Sequence, residues 1–192
     1  MILETWGATA EEHASPVVGD DLCPSARIVA TRCITIAAPP EDVFPWLRQM
    51  GFGRAGWYSY DWIDNLGRKS ATAIEPHGQT LTSGGVFPGG PADFDAVIVD
   101  PPRALVMRLA QKGRATKSTH FVLAYELRDC PEGTRLVTRM RARIDAFGGP
   151  IIEKLLLAPG DGIMLRRQLL NVAKRAEAAR SIADNHCPGD PT

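Results

Sequence analysis

Apolar and charged residues alternate most regularly between residues 134 and 144. One set of alternate positions holds Leu136, Thr138, Met140, Ala142 and Ile144, and the other holds Val137, Arg139, Arg141 and Arg143. Because successive side chains of a β-strand point to opposite faces of the sheet, this pattern predicts a strand with one apolar face and one arginine face. We expect the arginine face to be solvated, as most runs of surface charge are.

The segment before this strand follows the same parity. It places Phe121, Leu123, Tyr125 and Leu127 toward the core and His120 on the surface. Further β segments begin near residue 80, and the linkers GGPA, DPP, KGRATK and DCPEG separate them. Short linkers of turn-forming residues predict consecutive antiparallel hairpins. A first strand, rich in β-branched residues, is predicted from residue 26 to about residue 36.

Two short helices are predicted between the first strand and the hairpins. In the first, apolar residues recur at helical spacing between Val43 and Met50, with Pro40 at the start and Gly51 just beyond the end. Pro45 lies inside this helix and predicts a kink or a very short helix. The second helix is predicted over residues 59–66, with Ser59 or Asp61 as its N-cap and Gly67 as its stop.

The C-terminal region predicts one long amphipathic helix, preceded by a short one. Pro159 and Gly160 divide the two, so the long helix is expected to start near Asp161. Its apolar stripe consists of Leu165, Leu169, Val172, Ala176 and Ala179. Such a helix must pack on an apolar surface, and the inner face of the sheet is the large one available. Because the stripe is rich in alanine, we expect a cavity between the helix and the sheet.

These elements together predict an α+β fold in which a curved antiparallel sheet wraps around a long C-terminal helix. The length of 192 residues fits a single domain over residues 27–184. Residues 1–26 contain five acids and neither lysine nor arginine, and we expect them to form an extension packed on the domain. Residues 185–192 are expected to be a flexible tail.

Charge and composition exclude several functional classes. Twenty-two basic residues balance twenty-two acidic ones, which gives no bulk field to attract a nucleic acid. No window approaches the length of a membrane span, and residues 1–13 lack a basic secretory leader, so we expect a cytoplasmic protein, monomeric or homodimeric.

Metal and cofactor motifs are also missing from the sequence. Cys23, Cys33, Cys130 and Cys187 lie far apart and form no CxxC pair, so they are interpreted as independent reduced thiols. Cys33 is expected to be a small buried apolar residue. The sequence has no HExxH, GxSxG or phosphate-loop motif, and GFGRAG follows a helix rather than a strand. We therefore expect neither a metal nor a cofactor.

The stretch GWYSYDWIDNLG, residues 56–67, concentrates aromatic side chains among polar ones. Trp57, Tyr58, Tyr60 and Trp62 fall within six positions of a chain that is only 7% aromatic. Leaving so much apolar area in water is costly, so these side chains are expected to face the core or a ligand. We interpret the cluster as the end wall of the cavity, with the tyrosine hydroxyls orienting a ligand.

Four ordered motifs in this chain resemble one branch of the SRPBCC superfamily, which includes START domains and polyketide cyclases/dehydrases. They are WGAT (6–9), ATRCITIAAPPEDVFPWLRQMGFGRAGWYSYDWIDNLG (30–67), IEPHGQTLTSGGV (74–86) and APGDGIMLRRQLLNVAKRAE (158–177). The resemblance implies the helix-grip fold and a hydrophobic cavity for lipids, polyketides, hormones or other small apolar molecules. His77 and Gly85 depart from the family pattern, which expects acidic residues there.

Three functional hypotheses follow. In the first, the chain binds a small hydrophobic or aromatic molecule in its cavity. The predicted ligand-binding residues are Trp57, Tyr58, Tyr60, Trp62, Met107, Phe121, Leu123, Tyr125, Met140 and Met164. In the second, the chain is a cyclase or dehydratase in which Asp61 acts as the base and Tyr58 or Tyr60 stabilises an enolate. In the third, the arginine-lined strand binds a protein.

Overall fold

The computed structural model describes residues 4–146, 148–152 and 158–186. Six antiparallel strands form one curved sheet in the order β1-β6-β5-β4-β3-β2. The strands are β1 (Ile28–Ile36), β2 (Val86–Phe87), β3 (Phe94–Asp100), β4 (Ala104–Leu109), β5 (Thr119–Cys130) and β6 (Gly133–Ile144). The helices are α1 (Ala10–Ala14), α2 (Pro40–Arg48), α3 (Asp61–Asp64), α4 (Arg114–Lys117), α5 (Gly149–Ile152) and α6 (Ala158–His186).

The predicted α+β helix-grip architecture is confirmed. Leu165, Leu169, Val172 and Ala176 of α6 are buried in one core with the inward-facing side chains of the sheet, and the predicted inward parity of β5 and β6 holds. Ala179, the last member of the predicted stripe, is exposed. No described helix has the length and apolar character that a membrane span requires.

Two helix boundaries differ from the prediction. The long helix begins at Ala158 rather than near Asp161, so Pro159 and Gly160 belong to its first turn. Proline fits there because the first amides of a helix have no intrahelical acceptor. The predicted short helix before it corresponds in part to α5, and residues 153–157 lie outside the described residues.

The two short helices after β1 are confirmed, although the second is shorter than predicted. α2 starts at Pro40 and continues through Pro45 to Arg48. α3 covers only four residues, and its N-cap position is Tyr60 without a side-chain capping bond. The N-cap prediction for Ser59 or Asp61 was wrong because both side chains have other partners. The helix ends at Asp64 with Asn65 as its C-cap, earlier than the predicted stop at Gly67. Gly67 follows with φ at 78°, and its amide donates to the Asp61 carbonyl at 2.8 Å.

The expectation of a solvated arginine face was also wrong, because the N-terminal segment lies on that face. Arg139 is only 4% exposed, and its Nη1 lies 2.9 Å from Asp20 Oδ2. Arg135 forms a bidentate pair with Glu12 at 2.7 and 2.8 Å. A second apolar core lies under the segment and consists of Val17, Cys23, Cys33, Val106, Val122, Ala124 and Val137. Charge pairing and apolar burial together hold the segment in place.

The same N-terminal segment runs along the outer edge of β1. The amide of Thr31 donates to the Glu4 carbonyl at 2.8 Å, and the amide of Cys33 donates to the Trp6 carbonyl at 3.1 Å. Gly7 follows with φ at +71°, and a Cβ at this position would overlap the Cys33 carbonyl oxygen. A glycine is therefore required where the segment turns away from β1.

Candidate ligand-binding site

A cavity of about 420 Å³ lies between the inner face of the sheet and the first turns of α6. It is partly open to solvent, and its lining is mostly apolar. The sheet contributes Phe94, Met107, Phe121 and Leu123, and α6 contributes Gly160, Met164, Leu165 and Gln168. Asp64 comes from α3, and the connecting loops contribute Trp57, Ser59 and Gly89. The volume is in the range of pockets that hold small molecules.

Aromatic rings contact one another in a continuous row beside the cavity. Trp57 meets Phe94 edge-on with ring centroids 5.9 Å apart. Phe94 in turn contacts Phe121 at 6.0 Å, and Phe87 packs against the other side of Trp57 at 6.4 Å. The Trp57–Phe94 contact is edge-on and the other two pairs are tilted, so none of the three pairs stacks face to face.

The loop that carries Trp57 is fastened to α6 through three successive carbonyls. Gln168 Nε2 donates to the Trp57 carbonyl at 2.8 Å. Asn171 Nδ2 donates to the Tyr58 carbonyl at 2.7 Å, and Arg167 Nε donates to the Ser59 carbonyl at 3.1 Å. This attachment fixes the indole of Trp57 at one end of the cavity.

Backbone conformation contributes to the shape of this loop. Gly56 has φ at +78°, and a Cβ there would overlap the Ser70 hydroxyl. Tyr58 has φ at 57°, a left-handed value that costs an ordinary residue free energy. The Tyr58 amide donates a hydrogen bond to Ser70 Oγ at 3.1 Å. The surrounding bonds thus maintain a conformation that the tyrosine would not adopt alone.

The predicted catalytic residues have partners away from the cavity. The Asp61 carboxylate accepts hydrogen bonds from the Ser70 amide at 3.0 Å and from the Ser70 hydroxyl. The Tyr58 hydroxyl is buried and accepts from Gln49 Nε2 at 2.7 Å; burial raises the pKa of this phenol to about 12. The Tyr60 ring lies under the Arg167 guanidinium at 4.6 Å. The structure does not bring these three groups to a common point in the cavity.

The predicted ligand-binding residues divide into two groups. Trp57, Met107, Phe121, Leu123 and Met164 line the cavity, whereas Tyr58, Tyr60, Trp62, Tyr125 and Met140 are not among its lining residues. Trp62 is 73% exposed and points away from the core. Met140 is fully buried, and Tyr125 donates its hydroxyl hydrogen to Gln168 Oε1 at 2.5 Å.

Asp64 is a lining residue that the sequence reasoning missed. The residue as a whole is half-buried, but both carboxylate oxygens are inaccessible to solvent. The backbone amides of Tyr60 and of Asp64 itself are the nearby donors that act on this carboxylate. Burial, followed by the negative charge of Asp61, raises the pKa of Asp64 to about 6. Its position one helical turn after Asp61 is visible in the sequence, but its burial is not.

Within the described ranges no three His, Cys, Asp or Glu side chains are grouped as metal ligands. Cys23, Cys33 and Cys130 are free thiols, and Cys187 lies outside the described residues. Burial raises the pKa of the Cys33 thiol to about 12, which makes it a poor nucleophile. His77 is exposed and pairs with Glu75 at 3.0 Å.

Comparison with known proteins gives one family match and several structural ones. The sequence pattern of the family described as polyketide cyclase / dehydrase and lipid transport matches residues 27–177. Among curated proteins, none has a significantly similar sequence.

Solved structures with similar architecture come from several sources. A Chromobacterium violaceum protein has a TM-score of 0.50 at 12% identity, over 78% of this chain and 96% of that chain. A Mesorhizobium loti protein has a TM-score of 0.49 at 13% identity, over 78% and 97%. The di-domain ARO/CYC StfQ from the steffimycin biosynthetic pathway has a TM-score of 0.49 at 12% identity, over 86% and 55%. At such identities the likeness concerns the fold alone.

Proposed function

Because the chain belongs to the polyketide cyclase/dehydrase and lipid transport family, we propose that it binds a small hydrophobic or aromatic molecule, lipid-like or polyketide-like, in the cavity between the sheet and α6. The observation that carries this proposal is the row of Trp57, Phe94 and Phe121 along an apolar cavity of about 420 Å³. Ring edges and methionine side chains favour flat apolar ligands. Residues 27–184 would form the binding domain.

The alternative is a cyclase or dehydratase that uses Asp61 with Tyr58 or Tyr60. A general base must reach the proton that it abstracts. The Asp61 carboxylate accepts hydrogen bonds from Ser70, and the Tyr58 hydroxyl accepts one from Gln49. Neither Asp61 nor Tyr58 is among the residues that line the cavity. These positions favour binding over this acid-base assignment.

Native mass spectrometry of protein purified without detergent tests the binding proposal directly. We expect a bound small molecule, or stoichiometric uptake of the neutral fluorescent probe N-phenylnaphthylamine. Met164→Trp fills the cavity and should weaken probe binding by about tenfold or more. Ile163→Trp, at the adjacent exposed position, is the matched control and should bind as the wild type does. Absence of any bound species, together with equal probe signals from the two variants, would contradict the proposal.

A further inference from the structure

We infer that exposed apolar and basic residues around α3 dock the protein on the surface of an anionic lipid bilayer. This surface, called the α3 patch, consists of Trp62, Ile63, Leu66, Arg68, Lys69 and the neighbouring Ile163 of α6. The inference goes beyond the proposed function, because it concerns the outer surface of the molecule rather than the content of the cavity.

The apolar members of the α3 patch are strongly exposed. Leu66 is 76% exposed and Trp62 73%, the two highest values among the large apolar side chains of the described residues. Ile63 and Ile163 are about half exposed. Single exposed apolar residues need no explanation, but a group of them marks a surface that contacts another molecule. The α3 patch concentrates three within five consecutive positions.

Contacts between the α3 region and α6 bring Ile163 to the same surface. The Ser59 hydroxyl donates to the Met164 carbonyl at 3.0 Å, and the Arg167 guanidinium lies over the Tyr60 ring at 4.6 Å. Ile163 precedes Arg167 by four positions, so the two side chains share one face of the helix. Ile163 therefore lies on the face of α6 that meets the α3 region.

The α3 patch lies beside the cavity. Asp64 and Met164 line the cavity, and they follow Ile63 and Ile163 directly in the sequence. The exposed apolar side chains thus belong to the same short segments that form one wall of the cavity. A molecule that covers the α3 patch would lie next to that wall.

Charge favours an anionic partner for this surface. Arg68 and Lys69 are both exposed at the end of the segment. The two acids of α3 are withdrawn from solvent contact: the Asp61 carboxylate accepts hydrogen bonds from a backbone amide and a hydroxyl, and both Asp64 carboxylate oxygens are inaccessible. The segment therefore presents positive charge beside its apolar side chains.

A bilayer surface fits this combination better than a protein surface does. Tryptophan is enriched at the membrane–water interface, aliphatic side chains insert below the headgroups, and lysine and arginine attract anionic lipids. Lysine, by contrast, is depleted at protein–protein interfaces. An apolar ligand dissolves in a bilayer rather than in water, so docking here would bring the cavity close to its ligand; this last step rests on the proposed function.

Flotation of the full chain with lipid vesicles in a density gradient tests the inference. The vesicles contain phosphatidylcholine alone, or phosphatidylcholine with about one third phosphatidylglycerol. We expect the wild type to float with the anionic vesicles, and less so as salt is added. Trp62→Ser/Leu66→Ser should bind these vesicles about tenfold or more weakly, because it removes the inserting side chains. Arg68→Glu/Lys69→Glu should weaken binding to a similar extent.

Two control variants change exposed residues elsewhere on the surface. Ile182→Ser removes a side chain that is 62% exposed and lies about 28 Å along α6 from Ile163. Arg103→Glu/Arg180→Glu makes the same change of charge as the basic variant of the patch, at two exposed positions. Both controls should float with the anionic vesicles as the wild type does. Circular dichroism of each variant establishes that a loss of binding does not reflect unfolding.

Three results would overturn the inference: a wild type that floats with neither kind of vesicle, one that floats equally with both, or a Trp62→Ser/Leu66→Ser variant that floats as the wild type does. Uptake of N-phenylnaphthylamine separates these results from the proposed function. If the wild type takes up the probe but does not float, docking is refuted and cavity binding stands. If it floats with anionic vesicles but takes up no probe, docking stands and the proposed function fails.

Discussion

Tyr125 of β5 donates its hydroxyl hydrogen to Oε1 of Gln168 on α6, and this bond joins the sheet to the long helix beside the cavity. The amide nitrogen of Gln168 then donates to the Trp57 carbonyl at 2.8 Å. Gln168 is 5% exposed. A single buried amide therefore connects the sheet, the helix and the aromatic loop.

Gln168→Leu should lower the free energy of unfolding by about 2–3 kcal/mol, because the substitution leaves the Tyr125 hydroxyl and the Trp57 carbonyl without this partner. Urea denaturation monitored by tryptophan fluorescence measures the loss. Tyr125→Phe removes only the donor to Oε1 and should cost about 1 kcal/mol. Equal stabilities of wild type and Gln168→Leu would show that the connection contributes nothing.

Asp64→Asn should stabilise the protein above neutral pH. The folded-state pKa of Asp64 is raised from the ordinary value of 3.8 to about 6 by burial and by the charge of Asp61. Because the folded state disfavours the ionised form, wild-type stability falls as the pH rises between these two values. The variant should gain about 1–2 kcal/mol at pH 8, after allowance for partial solvation.

Urea denaturation of both proteins at several pH values tests this prediction. The difference between variant and wild type should vanish near pH 3 and reach its plateau above about pH 7. A constant difference across this range would show that the carboxylate does not titrate abnormally.

Glu12→Gln should act with the opposite pH dependence. The bidentate hydrogen bonds from Arg135 lower the pKa of Glu12 to about 2 from its ordinary value of 4.5. This contribution is therefore present above pH 4.5 and is lost as the pH falls toward 2. At pH 7 the variant should lose about 1–2 kcal/mol, reduced by the partial exposure of the pair. Glu11→Gln, at the exposed neighbouring position, should leave stability unchanged at every pH.

Gly7→Ala should detach the N-terminal segment from β1. The positive φ and the overlap with the Cys33 carbonyl oxygen combine at this position, and the cost should be about 2–4 kcal/mol. Hydrogen exchange should then be faster at the amides of Thr31 and Cys33. Gly53→Ala is the matched control, because Gly53 has φ at +72° but nothing within 4 Å of the added Cβ. Comparable effects of the two substitutions would show that the overlap is unimportant.

The sequence was sufficient to predict the sheet, the two short helices and the long helix, because period-2 and period-3.6 patterns report directly on which side of an element is buried. Leu123 could be assigned to the inner face of the sheet for the same reason, whereas Met164 was proposed for the cavity because methionine is a flexible, adaptable side chain. The cover of the arginine face by the N-terminal segment does not follow from a local pattern, because the pairing of Asp20 with Arg139 joins positions 119 residues apart.

The aromatic cluster shows a different limit of sequence reasoning. Within residues 56–67, Trp57 lines the cavity, Tyr58 is buried beside Gln49, and Trp62 is 73% exposed. Positive φ at Gly56 and Tyr58 rotates successive side chains in directions that neither helical nor strand periodicity describes. The direction of each ring, and the burial of Asp64, depend on this tertiary geometry rather than on a local pattern.

The pairing of residues 4–6 with β1 also bears on how the molecule behaves at high concentration. A free edge strand offers unpaired amides and carbonyls to any other extended chain, and proteins avoid aggregation by blocking such edges. Here the amides of Thr31 and Cys33 already donate to Glu4 and Trp6. The N-terminal segment thus blocks the β1 edge of the sheet from pairing with a strand of another molecule.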